Sequence, residues 1–295
     1  MIPTEPNDLR KAVALPAGAE ALVLGDDGIW YSVSREEISY PAEGNDLCFE
    51  VEDQSFWFRH RNACIVQMVK RFAPREGGHI FDVGGGNGFV AKGLMDAGWD
   101  VVLIEPGPAG ARNAKRRGLP HVVCATTQVA GFDQGSMPAI GVFDVVEHME
   151  DDRAFLRHLW DLLERDGMLY LTVPAFQFLW SHEDIDAGHF RRYSLPQICR
   201  KLIEAGFKIE FGTYIFGVLP LFVFAFRTLP YRLGLSRPGN VNKGLEKDHV
   251  MKESFATSLL NKALGWDISL IKKGSSSRVG GSCMVAARKI DSRPS

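Results

Sequence analysis

The segment His79-Ile80-Phe81-Asp82-Val83-Gly84-Gly85-Gly86-Asn87-Gly88-Phe89 constrains this chain more than any other, because it reads as a buried strand that ends in a glycine-rich turn and feeds a helix. Glycines at 84, 86 and 88 remove side chains where the backbone must turn sharply and where a ligand must approach the main chain. Such a loop suits a nucleoside cofactor. A dinucleotide fingerprint asks for glycine or alanine three residues after Gly86, so that the helix can lie against the strand, and this chain has Phe89. The pattern is instead Asp-x-Gly-x-Gly-x-Gly, Asp82 to Gly88. A glycine-rich turn without a ligand is the competing reading.

The next strand adds to the signal. Asp100-Val101-Val102-Leu103-Ile104-Glu105 is a short apolar run between Gly98 and Pro106, as expected of a parallel strand buried on both faces. Ligands of open α/β sheets bind beyond the carboxyl ends of the strands, and an acidic residue about 20 positions after the glycine loop accepts hydrogen bonds from ribose hydroxyls. Glu105 holds that position. It would repel a phosphorylated ribose, which favours an adenosine with free 2′ and 3′ hydroxyls.

A formal net charge of -2 argues against a general polyanion binder, so nucleic acid is not an expected partner. The cysteines, at 48, 64, 124, 199 and 283, are scattered, odd in number and without a Cys-x-x-Cys pair; they read as reduced thiols of a cytoplasmic protein. No signal peptide is visible at Met1–Pro6. The uncharged run Tyr214 to Phe226, followed by Arg227, Tyr231 and Arg232, is too short to span a bilayer, which needs about 20 apolar residues. It reads as a buried segment, as a lid over an apolar substrate, or as an interfacial patch, so peripheral membrane contact through 214–232 is a hypothesis.

Periodicity predicts a hairpin from Ala21–Leu24 to Ile29–Val33 and an amphipathic helix within Ser55–Phe72. Then come strand 79–83, helix 88–97, strand 100–105, helix 108–117, strand 121–124, a loop, strand 140–146, helix 151–165, strand 168–173, helix 195–205 and strand 207–216. The last strand is expected at Ser282–Arg288. This alternation implies an α/β protein built on a doubly wound sheet with helices on both faces. Three regions follow: an N-terminal extension, 1–50; a main domain, 51–216 plus 279–290; and an insertion, 217–278. Within the insertion lie the apolar run, a Lys/Gly/Asn-rich stretch at 237–248, a helix at 253–264 and a flexible segment Lys272–Ser277.

Taken together, the Asp82–Gly88 loop, Glu105, Phe143-Asp144-Val145-Val146-Glu147-His148 and Gly167–Pro174 resemble class I S-adenosylmethionine-dependent methyltransferases, of the branch that contains the ubiquinone-biosynthesis O-methyltransferases. The likeness covers roughly residues 55 to 215, including the outer blocks Ser55–Arg61 and Ser181–Ser194. It implies a Rossmann-like seven-stranded sheet of order 3-2-1-4-5-7-6 with the seventh strand antiparallel, S-adenosylmethionine as cofactor, and methyl transfer to a small-molecule or lipid-linked acceptor, with oxygen as the expected atom. Cofactor-binding residues would be Asp82, Gly84, Gly85, Gly86, Asn87, Gly88, Glu105, Pro106, Asp144 and Glu147, with Trp57 and Arg61 at the methionine end. One departure stands out: many relatives hold the adenine amino group with an acidic residue after the third strand, where this chain has Cys124-Ala125-Thr126-Thr127-Gln128. The backbone, Thr126 or Gln128 would take that task.

Methyl transfer to a hydroxyl benefits from a general base, and histidine suits the task because it titrates near neutrality. His148, at the carboxyl edge of the fourth core strand, is the first candidate, and His189 the second. A helix-capping or loop-fixing role for His148 and Glu147 stays open. Arg191, Arg192 and Tyr193 would hold an anionic or hydroxylated acceptor, or else brace a lid. No metal site is expected, because His182, Glu183, Asp184, Asp186 and His189 match no His-x-x-x-His spacing. Two other classes remain open: a non-catalytic binding protein on the same fold, and, opposed by Phe89, a nicotinamide-dependent dehydrogenase.

Overall fold

The computed structural model describes residues 15, 19–33, 49, 51–217, 219–235 and 255–290. The 237–248 stretch therefore lies outside the described residues. Nine strands form one sheet: β1 Leu22–Leu24, β2 Trp30–Ser32, β3 Ile80–Val83, β4 Val101–Ile104, β5 His121–Cys124, β6 Met137–Phe143, β7 Leu163–Pro174, β8 Phe207–Ile215 and β9 Ser282–Lys289. Their order is β1-β2-β5-β4-β3-β6-β7-β9-β8. Strands β2, β5, β4, β3, β6 and β7 run parallel, and β9 lies antiparallel between β7 and β8.

Removing β1 and β2 leaves the seven-stranded order that the resemblance implies. The two extra strands belong to the predicted hairpin, which pairs its second strand with β5 through Trp30 and Tyr31 and so widens the sheet to nine. Period-two alternation sorts the apolar side chains onto two faces. Phe81, Val102, Ile104 and Val123 belong to one core; Ile80, Val101, Leu103 and Val122 belong to the other.

Helices cover both cores. On the face of Ile80 lie α1 (Phe56–Arg71), α2 (Phe89–Asp96) and α3 (Pro108–Arg116), whose Ile65, Met68, Val90, Leu94, Ala111 and Ala114 are buried. On the face of Phe81 lie α4 (Asp152–Leu162) and, beyond a short helix α5 (His182–Asp186), α6 (Leu195–Ala205), buried through Leu156, Leu159, Ile198 and Leu202. After β8 the chain forms α7 (Leu219–Val223), a π-helical turn Phe224–Thr228 and α8 (Leu229–Arg232), and later α9 (Phe255–Lys273). Among the described residues no helix is long and apolar enough to cross a membrane.

Four expected elements shift. The strand expected at 140–146 spans Met137–Phe143, because Asp144 adopts a left-handed φ of 58° and breaks the ladder. The helix expected to reach 165 ends at Leu162, since Leu163 already pairs with Met137 of β6. The helix expected at 253–264 runs on to Lys273. It is anchored to α1 by a 3.1 Å pair between His60 Nε2 and Asp267 Oδ2, which are both buried. The 272–277 segment is correspondingly pinned: Ser276 Oγ donates to the Gly212 carbonyl at 2.6 Å and the Ser277 amide to Thr213 Oγ1 at 2.8 Å.

Candidate active site

The strand order reverses between β3 and β6, and at such a switch point the carboxyl ends of neighbouring strands leave a crevice. The glycine loop leaves β3 there, and the backbone makes it tight. Gly84, Gly86 and Gly88 have φ of 70°, 53° and 75°. A Cβ on Gly85 would stand 2.4 Å from Leu103 Cδ1 and 2.7 Å from Asp82 Oδ2. Gly88 caps α2 and packs on Leu119 and Ala114, so its role is the close approach of helix to sheet.

A cleft of about 400 Å³ runs along this loop, lined by Asp82, Gly84, Gly85, Gly86, Asn87, Glu105, Pro106, Asp144, Trp57 and Arg61 among others. Glu105 accepts from the Gly86 amide at 2.9 Å and from the Gly107 amide at 2.7 Å. Burial nevertheless pushes its carboxyl up to about 7, against the pull of those two amides. Asp82 is buried with neither oxygen in a hydrogen bond of ordinary geometry, and burial raises it also to about 7, only partly offset by Arg61. At the other end Arg61 reaches Asp144 Oδ2 at 2.9 Å and the Phe143 carbonyl at 2.9 Å, beneath the Trp57 ring. Asp144 is fixed by Thr172 Oγ1 at 2.9 Å.

Beside this cleft a second lobe of about 320 Å³ is lined by Ile104, Pro106, Ala125, Phe155 and Phe190 with Thr126, Thr127 and Gln128. Thr127 bonds His158 Nε2 at 3.0 Å. The lobe's apolar residues leave the Thr126, Thr127 and Gln128 segment as its polar edge. Two buried carboxyls raised by burial, a guanidinium at one end and an apolar slot at the other together match a nucleoside with a zwitterionic tail.

On the far side of Asp144 opens a third space of about 620 Å³, lined by the apolar Leu219, Phe222, Val223 and Phe226 and by the polar Glu147, Glu183, Asp184, His189, Arg192 and Arg227. Trp57, Phe58, Asp144 and His189 line this space and the loop cleft alike, so the two meet there. Glu147, expected at the cofactor, faces this larger space instead. It is fully buried, both oxygens lack a hydrogen bond of ordinary geometry, and burial together with the Asp144 carboxylate raises it well above the ordinary glutamate value.

The two histidines differ. Burial, reinforced by His189, pushes His148 down to about 4, and the rings lie edge to face with centroids 4.8 Å apart. His189 Nδ1 sits 2.9 Å from Asp184 Oδ1, and the same oxygen accepts from Arg192 Nε at 2.7 Å. Burial pushes Asp184 up, but these partners outweigh it and hold its carboxyl below the ordinary range. Linear spacing presents Asp184 only as a candidate metal ligand. Its place five residues before His189 is visible in the sequence; its orientation is not.

Of the expected acceptor-binding trio only Arg192 lines the third space. Arg191 is spent on Asp152 at 2.9 Å and on the carbonyls of Met149 and Glu150, while Tyr193 is buried with its hydroxyl 2.8 Å from Asp152. They brace the loop. Donor atoms of Glu147, His148 and His189 lie within 4.8 Å of one another, a convergence that linear spacing does not reveal. Equally hidden from the sequence is a strap over the glycine loop: Glu52 takes Arg117 Nη2 at 2.6 Å and Asn87 Nδ2 at 3.3 Å, and Arg117 also donates to the Asn87 carbonyl at 3.0 Å.

Comparisons with known proteins identify the family and the fold. A family model described as a methyltransferase domain matches residues 57–210. A Mycobacterium tuberculosis protein named a probable S-adenosylmethionine-dependent methyltransferase is 22% identical over 162 residues, 54% of this chain and 58% of that one. A ubiquinone biosynthesis O-methyltransferase of Xanthomonas oryzae is 28% identical over 103 residues, 33% of this chain and 43% of its own length. The aligned part thus spans less than two thirds of either relative. In fold, a solved Thermotoga maritima methyltransferase covers 84% of this chain and 95% of its own, with a TM-score of 0.51 at 15% identity.

Proposed function

The chain belongs to the methyltransferase-domain family, whose cofactor is S-adenosylmethionine, and from that premise we propose that it methylates an oxygen of a small-molecule or lipid-linked acceptor seated in the 620 Å³ space beside His189. The observation that carries this reading is the His189–Asp184 pair at 2.9 Å, placed where the loop cleft meets that space.

Glu105 would hold the ribose hydroxyls, Thr126 and Gln128 the adenine edge, and Arg61 with Trp57 the methionine carboxylate. When bound, S-adenosylmethionine supplies a methyl group on a positively charged sulfur, ready for an in-line nucleophile. The protein's task is then to hold the acceptor atom in line, exclude water and remove a proton. Asp184 fixes the imidazole of His189 with Nδ1–H toward its carboxylate, which leaves Nε2 to take the proton of an acceptor hydroxyl. Asp184 then stabilises the imidazolium. His148, pushed down to about 4, stays neutral and packs against His189 as a ring partner and hydrogen-bonding group. The relative named as an O-methyltransferase supports oxygen as the methylated atom. The apolar wall from Leu219 to Phe226 supports an acceptor with an apolar chain, delivered at a membrane through residues 214–232.

Transfer of labelled methyl from S-adenosylmethionine to a panel of hydroxylated compounds, with and without alkyl chains, tests the reading. It predicts label on oxygen, with alkylated members preferred. Label on nitrogen or carbon alone would refute it.

A further inference from the structure

The wall of the acceptor space is also an exposed apolar surface. Phe222 and Phe226 line the space and are 55% and 75% exposed, so the space opens through them to the outside. On the same helical stretch and just after it, Leu221, Leu233 and Leu235 are exposed at 78%, 62% and 74%. A distant segment joins them: Phe178, itself half exposed, meets the Phe224 ring at 6.3 Å, and its carbonyl accepts from Arg232 at 3.0 Å. Large exposed apolar side chains that cluster around a cavity mouth mark a contact surface, in contrast to scattered single ones.

The composition of the patch selects its occupant. Residues 219–235 carry two basic residues, Arg227, which pairs with Glu183 at 3.7 Å, and Arg232, and no acidic residue. Arginines beside a leucine- and phenylalanine-rich helical face match an apolar layer under anionic headgroups. The helical stretch is broken into α7, the π turn and α8, and is too short to span, so it can lie in the interface but cannot cross it. The π turn itself contributes Phe226 and Arg227 to the lining, and π segments recur at functional sites.

We propose that the α7–α8 face docks into the interfacial layer of an anionic lipid bilayer, and that the acceptor passes from the bilayer into the space beside His189 past the stacked rings of Phe222 and Phe226, 6.4 Å apart, without crossing water. This deepens the functional reading and rests on it.

The test is sedimentation of the full chain with vesicles of equimolar phosphatidylcholine and phosphatidylglycerol, with S-adenosylhomocysteine affinity measured on the same samples. Leu221→Glu/Leu233→Glu alters the patch without touching the lining of any of the three spaces. Val23→Glu, equally exposed on β1 at the opposite edge of the sheet, is the control. Wild type and Val23→Glu are expected to sediment with the vesicles, and the double variant to lose at least about 10-fold in partitioning while keeping its S-adenosylhomocysteine affinity. Wild type that binds S-adenosylhomocysteine yet stays in the supernatant overturns the docking claim alone. So does a double variant that sediments as wild type does. Wild-type dimers in sedimentation velocity that dissociate in the double variant, without vesicle binding, would overturn it too and assign the face to a second copy of the chain. Failure to bind S-adenosylhomocysteine in a folded sample would instead strike the functional reading.

Discussion

Asp82 and Glu105 place two buried carboxyls along the cleft, and both are pushed up to about 7 by burial. Between their ordinary values and that point the native state holds more protons than the unfolded chain, so stability falls as pH rises. The loss is complete above about pH 7. Asp82→Asn removes one of these costs. It should stabilise the ligand-free protein at pH 8 by a few kcal/mol at most, since each tenfold change in proton affinity corresponds to roughly 1.4 kcal/mol, and by much less at pH 5. Urea unfolding at both pH values checks this; equal effects at the two would contradict it. Glu105→Ala should weaken S-adenosylhomocysteine at least about 10-fold, since hydrogen bonds to a charged group contribute about 1.5–3 kcal/mol. His189→Ala should slow transfer by ~10²–10⁴ with cofactor affinity kept, as expected for loss of a general base. Asp184→Asn should slow transfer too, and His148→Ala should slow it less. If the His148 variant is the slower one with chemistry limiting, the assignment of the two histidines is reversed. Glu105 was legible in the sequence because its position follows from strand and loop alone. The His189–Asp184 pair was not, since it joins the short helix α5 to the turn after it through hydrogen bonds that no periodicity encodes.

At the scale of elements, left-handed residues gather at the carboxyl ends of three strands: Asp144 after β6, Phe176 after β7 and Phe216 after β8. A bulky residue at positive φ is costly unless its surroundings fix it. Phe216 is held by stacking on Trp57 at 5.6 Å, Phe176 by stacking on Tyr214 at 4.9 Å. Of these corners Asp144 lines the site itself, and corners are what pattern reading misplaces, as the strand expected to reach 146 shows. The glycine loop is tight in the same way. Gly85→Ala should destabilise by about 1–3 kcal/mol through overpacking against Leu103, measurable as a drop in the urea midpoint. The strap is a separate element with its own signature. Because Glu52 and Arg117 hold the Asn87 end of the loop, Glu52→Ala should raise the dissociation constant for S-adenosylhomocysteine while leaving the transfer rate at saturation near wild type. A loss at saturation with unchanged affinity would exclude this role. Nothing in the 51–53 segment announced it, since Glu and Asp next to an apolar helix read as ordinary surface.

Across the whole molecule, the parallel core was legible because buried strands and amphipathic helices alternate with clear turn residues between them. The nine-stranded width was not, although the hairpin itself was, because pairing Trp30 and Tyr31 with β5 is a long-range choice that no local pattern dictates. The 217–278 region likewise contains two kinds of structure: α9 packs on α1 through the buried His60–Asp267 pair, whereas α7 and the π turn line the 620 Å³ space. Its helical and apolar character was visible; which part turns inward was not. All of these arrangements converge on one claim, that the crevice at the β3–β6 switch point is a seat for S-adenosylmethionine. Calorimetric titration of the full chain with S-adenosylhomocysteine, with NAD as the control ligand, tests it most directly. The account predicts saturable one-to-one binding of S-adenosylhomocysteine, weakened by Glu105→Ala, and no binding of NAD. A folded sample that takes up NAD, or neither ligand, would contradict it.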